Sequence, residues 1–323
     1  MSAGPQKTGS FRDGVCLPFL RDSQNQDGGW GYQLRSESRT EATSWAVIAL
    51  QNIPQSGRSD PWAEALDRGT EWLLSAQLPD GSWPSHRSGN RGCWCTSLAL
   101  LALKSRAADG KAAAKAREWL LGTWPAEGGI WWRLRNRLRS DPGLVRQNLA
   151  LRGWGWTPGT SSWVEPTSYA LLALEGYPEN SSRSLRERRR LGEAMLLDRM
   201  CPGGGWNNGN PRVYGVAGEP AVGPTVWALL ALRRERSRPE VERSLTWLSD
   251  WLSATPDRGQ GPASIALASI CLETLGRSAA PPEPALKECY DANQFLTNVL
   301  TFAWATMALT PECGWPACGG LST

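Results

Sequence analysis

Glu165 and Glu41 are the residues with which chemistry could begin. Each stands two positions ahead of a threonine that opens an apolar run, in Glu165-Pro-Thr-Ser-Tyr-Ala-Leu-Leu-Ala-Leu174 and in Glu41-Ala-Thr-Ser-Trp-Ala-Val-Ile-Ala-Leu50. Pro166 suits the first position of a helix, which sets Glu165 at a helix N-terminus, where the macrodipole favours the anion by roughly 0.3–1 kcal/mol. Burial in a dry aromatic surrounding acts the other way and can raise a carboxyl pKa by up to about 3–5 units. Burial therefore wins wherever water is excluded. A carboxyl kept protonated is a general acid, whereas the same group left in water is a helix cap paired with an Arg, and the sequence leaves both open. Glu288 and Asp291, upstream of the last apolar run, are lesser candidates with capping as their alternative. Trp45, Trp94, Trp163, Tyr169, Trp227, Phe302 and Trp304 lie near the starts of the apolar runs. Their ring faces attract cations, and for each of them core packing is the plainer use.

These residues are positioned by a repeat. Thr43-Ser-Trp-Ala-Val-Ile-Ala-Leu50, Thr96-Ser-Leu-Ala-Leu-Leu-Ala-Leu103, Thr167-Ser-Tyr-Ala-Leu-Leu-Ala-Leu174 and Thr225-Val-Trp-Ala-Leu-Leu-Ala-Leu232 are copies of one octapeptide. Ala263-Ser-Ile-Ala-Leu-Ala-Ser-Ile270 and Phe302-Ala-Trp-Ala-Thr-Met-Ala-Leu309 are weaker copies. Ala and Leu are good helix formers, and a helix apolar all round is a buried one. Between the copies run polar segments such as 63–77, 112–122 and 239–254, whose apolar residues recur three and four apart, as Trp247, Leu248 and Trp251 do. The chain alternates buried and half-buried helices and reads as all-α. In the slot that Glu165 and Glu41 fill, the other copies carry Trp94, Gly223, Gly261 and Leu300.

The net charge of +4 is modest and gives no general polyanion-binding signature, so nucleic acid is not an expected partner. No stretch approaches the apolar length of a membrane span, and the first residues lack a secretory pattern. A cytoplasmic protein with reduced thiols is the expectation for its 8 cysteines. One histidine, His86, and no paired Cys-x-x-Cys units speak against a structural zinc site. No cofactor or metal is expected.

The 19 tryptophans far exceed ordinary usage, and many follow a second pattern. Phe19-Leu20, Gln24, Gly28-Gly29-Trp30 is one instance, and Trp72-Leu73, Gln77, Gly81-Ser82-Trp83 a fuller one. Trp119-Leu120 followed by Gly129-Ile130-Trp131 reads as a third, and Met195-Leu196 followed by Gly204-Gly205-Trp206 as a degenerate fourth. Each sits at the C-terminal end of an outer helix, where Gly supplies positive φ and the Gln amide can reach helix-end backbone groups. On this reading Trp30, Trp72, Trp83, Trp119, Trp131 and Trp206 are structural.

Aromatic-Leu-x3-Gln-x3-Gly-x-Trp resembles the QW repeat of squalene-hopene and oxidosqualene cyclases, which recurs in the related protein prenyltransferase β subunits. The resemblance covers nearly the whole chain and implies an α/α toroid, with about six inner helices around a central cavity and outer helices encircling them. An outer helix near 11–24 and an inner one near 293–309 would let the two ends of the chain close the circle. The Pro-rich 279–284 leaves little room for a full outer helix after Gly276. We expect a single toroid domain over 1–323 with a basic and aromatic insertion at about 132–162.

The resemblance also implies a chemistry. In cyclases that begin by protonating an alkene or epoxide, the acid comes from an Asp-x-Asp-Asp-Thr-Ala motif opening an inner helix. That motif falls on Trp163-Val-Glu-Pro-Thr-Ser168, with Glu165 in the place of the proton donor and Glu41 as second candidate. Both flanking carboxylates are missing, replaced by Trp163 and Pro166. No Asp-Asp-x-x-Asp magnesium motif is present. The expectation is a class II terpene cyclase-like enzyme acting on an isoprenoid or lipid-like molecule, with Trp45, Trp94, Trp163, Tyr169, Trp227, Phe302 and Trp304 lining the cavity. The alternatives are a non-catalytic toroid that binds an isoprenoid, lipid or peptide, and a prenyltransferase-like protein, against which the lack of an Asp, Cys and His zinc set weighs. Arg133, Arg135, Arg137, Arg139, Arg146 and Arg152, interleaved with Trp131, Trp132, Leu134 and Leu138 and followed by Gly153-Trp-Gly-Trp156, would let 131–156 rest on the inner membrane face; a solvated basic loop is the plainer use.

Overall fold

The computed structural model describes residues 10–53, 62–105, 110–127, 147–178, 182–254 and 260–310. The octapeptide copies become inner helices: α2 (Thr40–Gln51), α4 (Cys95–Ser105), α6 (Val164–Ala173), α8 (Val222–Ala231), α10 (Pro262–Thr274) and α12 (Val299–Ala308). The polar segments become outer helices: α1 (Leu17–Asp22, continuing a π-helical turn at Arg12–Cys16), α3 (Ala63–Ser75), α5 (Lys111–Gly122), α7 (Arg183–Asp198), α9 (Pro239–Ser253) and α11 (Glu283–Asn293). Consecutive inner helices pack side by side, and α12 packs back on α2, so the inner circle is closed. The architecture is the expected α/α toroid. An outer helix does form after Gly276, but α11 begins only at Glu283, with Pro284 in its first turn, and ends on left-handed Gln294.

Sequence explains each class of helix. In α2 and α6 nearly every residue is buried, because one face meets the neighbouring inner helices and the other meets an outer helix. Outer α9 buries only a stripe, Val241, Ser244, Leu245 and Leu248, at three- and four-residue spacing. It starts with Pro239 in the first turn and carries Glu240 and Glu242 there, which suit the positive end of the helix. Ser182 caps α7 by accepting from Leu185 N–H, and Asn298 caps α12 by accepting from Thr301 N–H at 3.0 Å.

A small hairpin, β1 (Arg212–Val213) and β2 (Val216–Ala217), stands in the connection that leads into α8. Tyr214 and Gly215 at its tip both have positive φ, as a two-residue turn that matches strand twist requires. The turn glycines of the outer helices have a tighter constraint. Gly81 sits at φ +90, and a Cβ there would come 2.6 Å from the backbone of Lys115 in α5. Only glycine lets the turn lie against the next outer helix.

Candidate functional site

The turn tryptophans are fasteners. The indole N–H of Trp30 donates to Leu20 O at 2.7 Å, that of Trp83 to Leu73 O at 2.7 Å, and that of Trp206 to Leu196 O at 2.6 Å. The third fastener differs from the sequence expectation. Leu120 O accepts from the indole of Trp154, at 2.9 Å, so the turn is completed by Gly153-Trp154. The register Gly129-Ile130-Trp131 had the nearer Gly and Trp, but the long connection lies inside the turn, before its Trp. Trp131 and the basic run 133–146 lie outside the described residues.

Each fastener also grips an inner helix. The backbone N–H groups of Trp30, Trp83, Trp154 and Trp206 donate to the hydroxyls of Thr43, Thr96, Thr167 and Thr225, each at 2.9 Å. The hydroxyls are within 3.1–3.4 Å of the same tryptophans' carbonyls. The octapeptide threonine is thus clamped in every one of these repeats, which fixes the slot two residues earlier at the N-terminal mouth of its helix. Further clamps come from the next outer helix. The Gln24 amide bridges Gly28 O and Ala65 O, both at 2.8 Å, and the Gln77 amide bridges Gly81 O and Ala112 O at 2.9 and 2.8 Å. In the third turn, which has no Gln, Arg188 of α7 donates to Thr123 O and Gly153 O. Its guanidinium lies between the rings of Trp124 and Trp154, at 4.1 and 3.8 Å from their centroids. Burial, and then the charge of Arg152, push its pKa down to about 9.

The residue two past each fastener stitches the mouth together. Tyr32 O accepts from Val299 N–H at 2.9 Å, Ser85 O from Thr40 N–H at 3.1 Å, Trp156 O from Trp94 N–H at 3.1 Å, and Asn208 O from Val164 N–H at 3.4 Å. Mouth loops and inner-helix starts therefore form one surface, closed at Tyr32 and Val299.

At this mouth the aromatic residues converge from different helices. Trp45 of α2 stacks on Trp227 of α8 at 5.1 Å, meets Trp304 of α12 edge-on at 5.8 Å and Tyr169 of α6 at 6.4 Å. Tyr169 contacts Trp227 at 5.1 Å and stacks on Trp94 at 5.6 Å, and Trp94 in turn meets Trp156 edge-on at 5.0 Å. Trp45, Trp227 and Tyr169 are buried, while Trp94, Trp156 and Trp304 keep part of their surface open. The first three make an aromatic floor and the others its wall. Two expected members stand apart. Phe302 points to the outside of α12, where it stacks on Phe19 at 3.6 Å and meets Phe295 at 5.1 Å, so it joins the inner and outer layers. Trp163 is half-buried and makes no ring contact among the described residues.

Glu165 and Glu41 sit over this floor and influence each other. Burial, and then the negative charge of Glu41, push Glu165 up to about 7. Burial also raises Glu41, opposed by a hydrogen bond from the Tyr32 hydroxyl, which donates to Glu41 Oε2 at 2.6 Å. Among the described residues no Lys or Arg forms an ion pair with either carboxyl. Gly223, in the same slot of α8, leaves room beside Glu165: a Cβ there would be 3.5 Å from Oε1. The slots of the first and third repeats, Glu41 and Glu165, thus lie close enough for the charge of one to act on the other. Glu288 and Asp291 do not, since both are exposed on outer helix α11. Tyr32 and Trp156 were not singled out from sequence as site residues, although Trp30-Gly-Tyr32 and Trp154-Gly-Trp156 share a Trp-Gly-aromatic signal. Cys95, buried at the start of α4, lies near Glu41, and its Cys93 partner, burial and then the charge of Glu41 raise its thiol. Among the described residues no three His, Cys, Asp or Glu side chains gather as a metal site, and no helix is long and apolar enough to cross a membrane.

No family profile matches the chain. Segments of it are similar to curated enzymes: 31% identity over 104 residues to lanosterol synthase of Homo sapiens, covering 26% of this chain and 14% of that enzyme. With drimenyl diphosphate synthase of Streptomyces showdoensis the identity is 39% over 70 residues, covering 22% of this chain and 12% of that enzyme. The matched stretches thus span a small part of those relatives' length. Among solved structures, the type II terpene cyclase MstE from Scytonema, as its D109N form in complex with geranylgeranyl dihydroxybenzoate, superposes with a TM-score of 0.58 at 15% identity, covering 94% of this chain and 96% of that one. The shared feature at that identity is the fold.

Proposed function

We propose that this chain, a terpene cyclase-like member of the squalene-hopene cyclase superfamily, cyclises a polyisoprenoid by protonation. The observation that carries the reading is a carboxyl unpaired by any described cation and set over a floor of buried aromatic rings, where burial and then the charge of Glu41 push it up to about 7. At neutral pH Glu165 holds its proton about half of the time, whereas an ordinary Glu has lost it.

The reaction follows from that placement. The O–H bond of Glu165 breaks as its proton forms a C–H bond at the terminal alkene, and the alkene's electron pair leaves a tertiary cation. The next double bond attacks that cation, closing a carbon–carbon bond and moving the charge along the chain. Trp45, Trp94, Tyr169, Trp227 and Trp304 offer ring faces to the moving charge, each contributing about 0.5–2 kcal/mol, and they keep out water that would quench it. Loss of a proton from a neighbouring carbon to a base ends the sequence, so that the product is an isomer of the substrate. The isoprenoid class of substrate is supported by the geranylgeranyl compound bound in the similar Scytonema cyclase.

The test is incubation of the wild type and of Glu165→Gln with squalene and with farnesyl and geranylgeranyl derivatives, followed by mass spectrometry for isomers of unchanged mass. A cyclic isomer formed by the wild type and lost in the variant is the expected result. If no isomer forms while a substrate still raises Tm, the chain is an isoprenoid-binding toroid, the role that the missing flanking carboxylates at Trp163 and Pro166 favour.

A further inference from the structure

Glu165 has no acidic neighbour in its own helix start, which reads Trp163-Val164-Glu165-Pro166-Thr167. The carboxylate whose charge acts on it comes from another repeat. Glu41 occupies the same slot of α2, and the clamps of Thr43 and Thr167 on Trp30 and Trp154 set both slots at the mouth. Glu41 is itself held. The Tyr32 hydroxyl donates to its Oε2 at 2.6 Å, and Tyr32 is fixed by its own carbonyl, which accepts from Val299 N–H at 2.9 Å, and by the backbone pairing of Gln33 with Asn298.

We propose that Glu41, held by the Tyr32 hydroxyl, is the partner carboxylate of Glu165, a positioning residue whose charge keeps the proton on Glu165, so that the acid is assembled from equivalent slots of two repeats. This inference rests on the cyclase reading for its catalytic meaning, and on the shared mouth of the two slots and the Tyr32–Glu41 hydrogen bond, with the charge of Glu41 acting on Glu165, for the coupling between the carboxyls.

The asymmetry decides which carboxyl carries the proton. A hydroxyl that donates to a carboxylate stabilises its charged form. Glu41 has such a donor, and no hydrogen bond to Glu165 is present among the described residues. Two carboxyls that share one space cannot both ionise easily, so the one with the donor loses its proton first and the other keeps it. The remaining groups facing the pair do not reverse this order. Cys95 opens α4, Cys93 lies two residues before it, and Tyr169 is on α6; the Cys93 partner and burial raise Cys95, burial raises Tyr169, and Cys93 alone is lowered, by its hydrogen bond with Cys95. Arg39, on the turn before Glu41, is engaged by Glu37 at 3.0 Å. From α8 Gly223 stands beside Glu165 and Trp227 lies against Tyr169. The missing carboxylates of the resembling motif are in this way replaced by one supplied from across the mouth.

The experiment uses the full chain labelled with carboxyl-13C glutamate. The infrared band of protonated Glu165 is followed against pH, identified by difference from Glu165→Gln, in the wild type, Glu41→Gln and Tyr32→Phe. Both variants are expected to move the midpoint of Glu165 downward by about one pH unit, about a tenfold loss of the protonated form at alkaline pH. The alkaline limb of the cyclisation rate should move with it. A midpoint unmoved in Glu41→Gln overturns the partner role, and one unmoved in Tyr32→Phe overturns the part given to the tyrosine. A purely structural role for either residue would lower Tm without moving the midpoint. If the midpoints move but no substrate is cyclised, the carboxyl pair stands and the cyclase reading falls. If cyclisation proceeds while the midpoints stay fixed, the pair falls and the cyclase reading survives.

Discussion

Tryptophan is used in two ways in this molecule, and the two uses divide it into turns and mouth. In the turns, Trp30, Trp83, Trp154 and Trp206 each give the indole N–H to a leucine carbonyl of an outer helix and the backbone N–H to a threonine of an inner one. Every polar atom is spent on the scaffold. At the mouth, Trp45, Trp94, Trp227 and Trp304 meet one another or Tyr169 through ring edges and faces, and the Trp304 indole nitrogen has no hydrogen-bond partner among the described residues. The difference shows how one residue type can supply both a frame and a chemical surface: the hydrogen bonds identify the frame, and the ring contacts identify the surface.

That division is sharpest in stability. Trp83→Ala removes a fully buried ring and its indole hydrogen bond to Leu73 O and should cost about 3–5 kcal/mol in urea unfolding. Trp304→Ala, only half-buried, should cost less than half as much and act mainly on the product distribution. Equal losses would erase the distinction. Glu165→Gln tests the chemical surface from the other direction. Burial, and then the charge of Glu41, push the folded carboxyl up to about 7 from an ordinary value of 4.5, so between those values the folded chain holds a proton that the unfolded chain loses. Stability from this group is full below pH 4.5 and is lost as pH rises through about 7. The variant should therefore be more stable than wild type by up to about 3 kcal/mol at pH 8 and little different at pH 4, measured as Tm across pH. Thr96→Val keeps the shape of the inner helix but leaves Trp83 N–H without its acceptor, an expected loss of about 1–3 kcal/mol. Gln77→Ala, which removes two half-buried amide hydrogen bonds, should cost only about 1 kcal/mol, seen as a small shift in the same unfolding midpoint.

Much of the frame was legible because it is periodic. The Ala- and Leu-rich octapeptide marks all six inner helices, and the Leu-to-Trp spacing marks three of the four fasteners. The fourth failed for a physical reason. A hydrogen bond from Trp154 to Leu120 is indifferent to how much chain loops out between its partners, whereas a spacing rule depends on that length. The outer helix α11 was obscured by prolines that serve as its first turn. At the site, the two glutamates were legible from their common slot, and the convergence of Trp45, Trp94, Tyr169, Trp227 and Trp304 follows from inner helices pointing the same way. Phe302 was misplaced because its helix has a second apolar face against α1, and a helix apolar all round gives no sign of which face a residue takes. Tyr32 was missed because its placement beside Glu41 is set by a backbone contact with Val299, far away in sequence.

The threonine clamp has one more consequence. It grips the backbone and a hydroxyl and never touches the slot residue two positions earlier, so glutamate, tryptophan and glycine are all carried there by the same geometry at Glu41, Trp94, Glu165 and Gly223. The scaffold thus offers a set of equivalent addresses around one rim, and which address bears a carboxyl is free to change without any alteration of the fold.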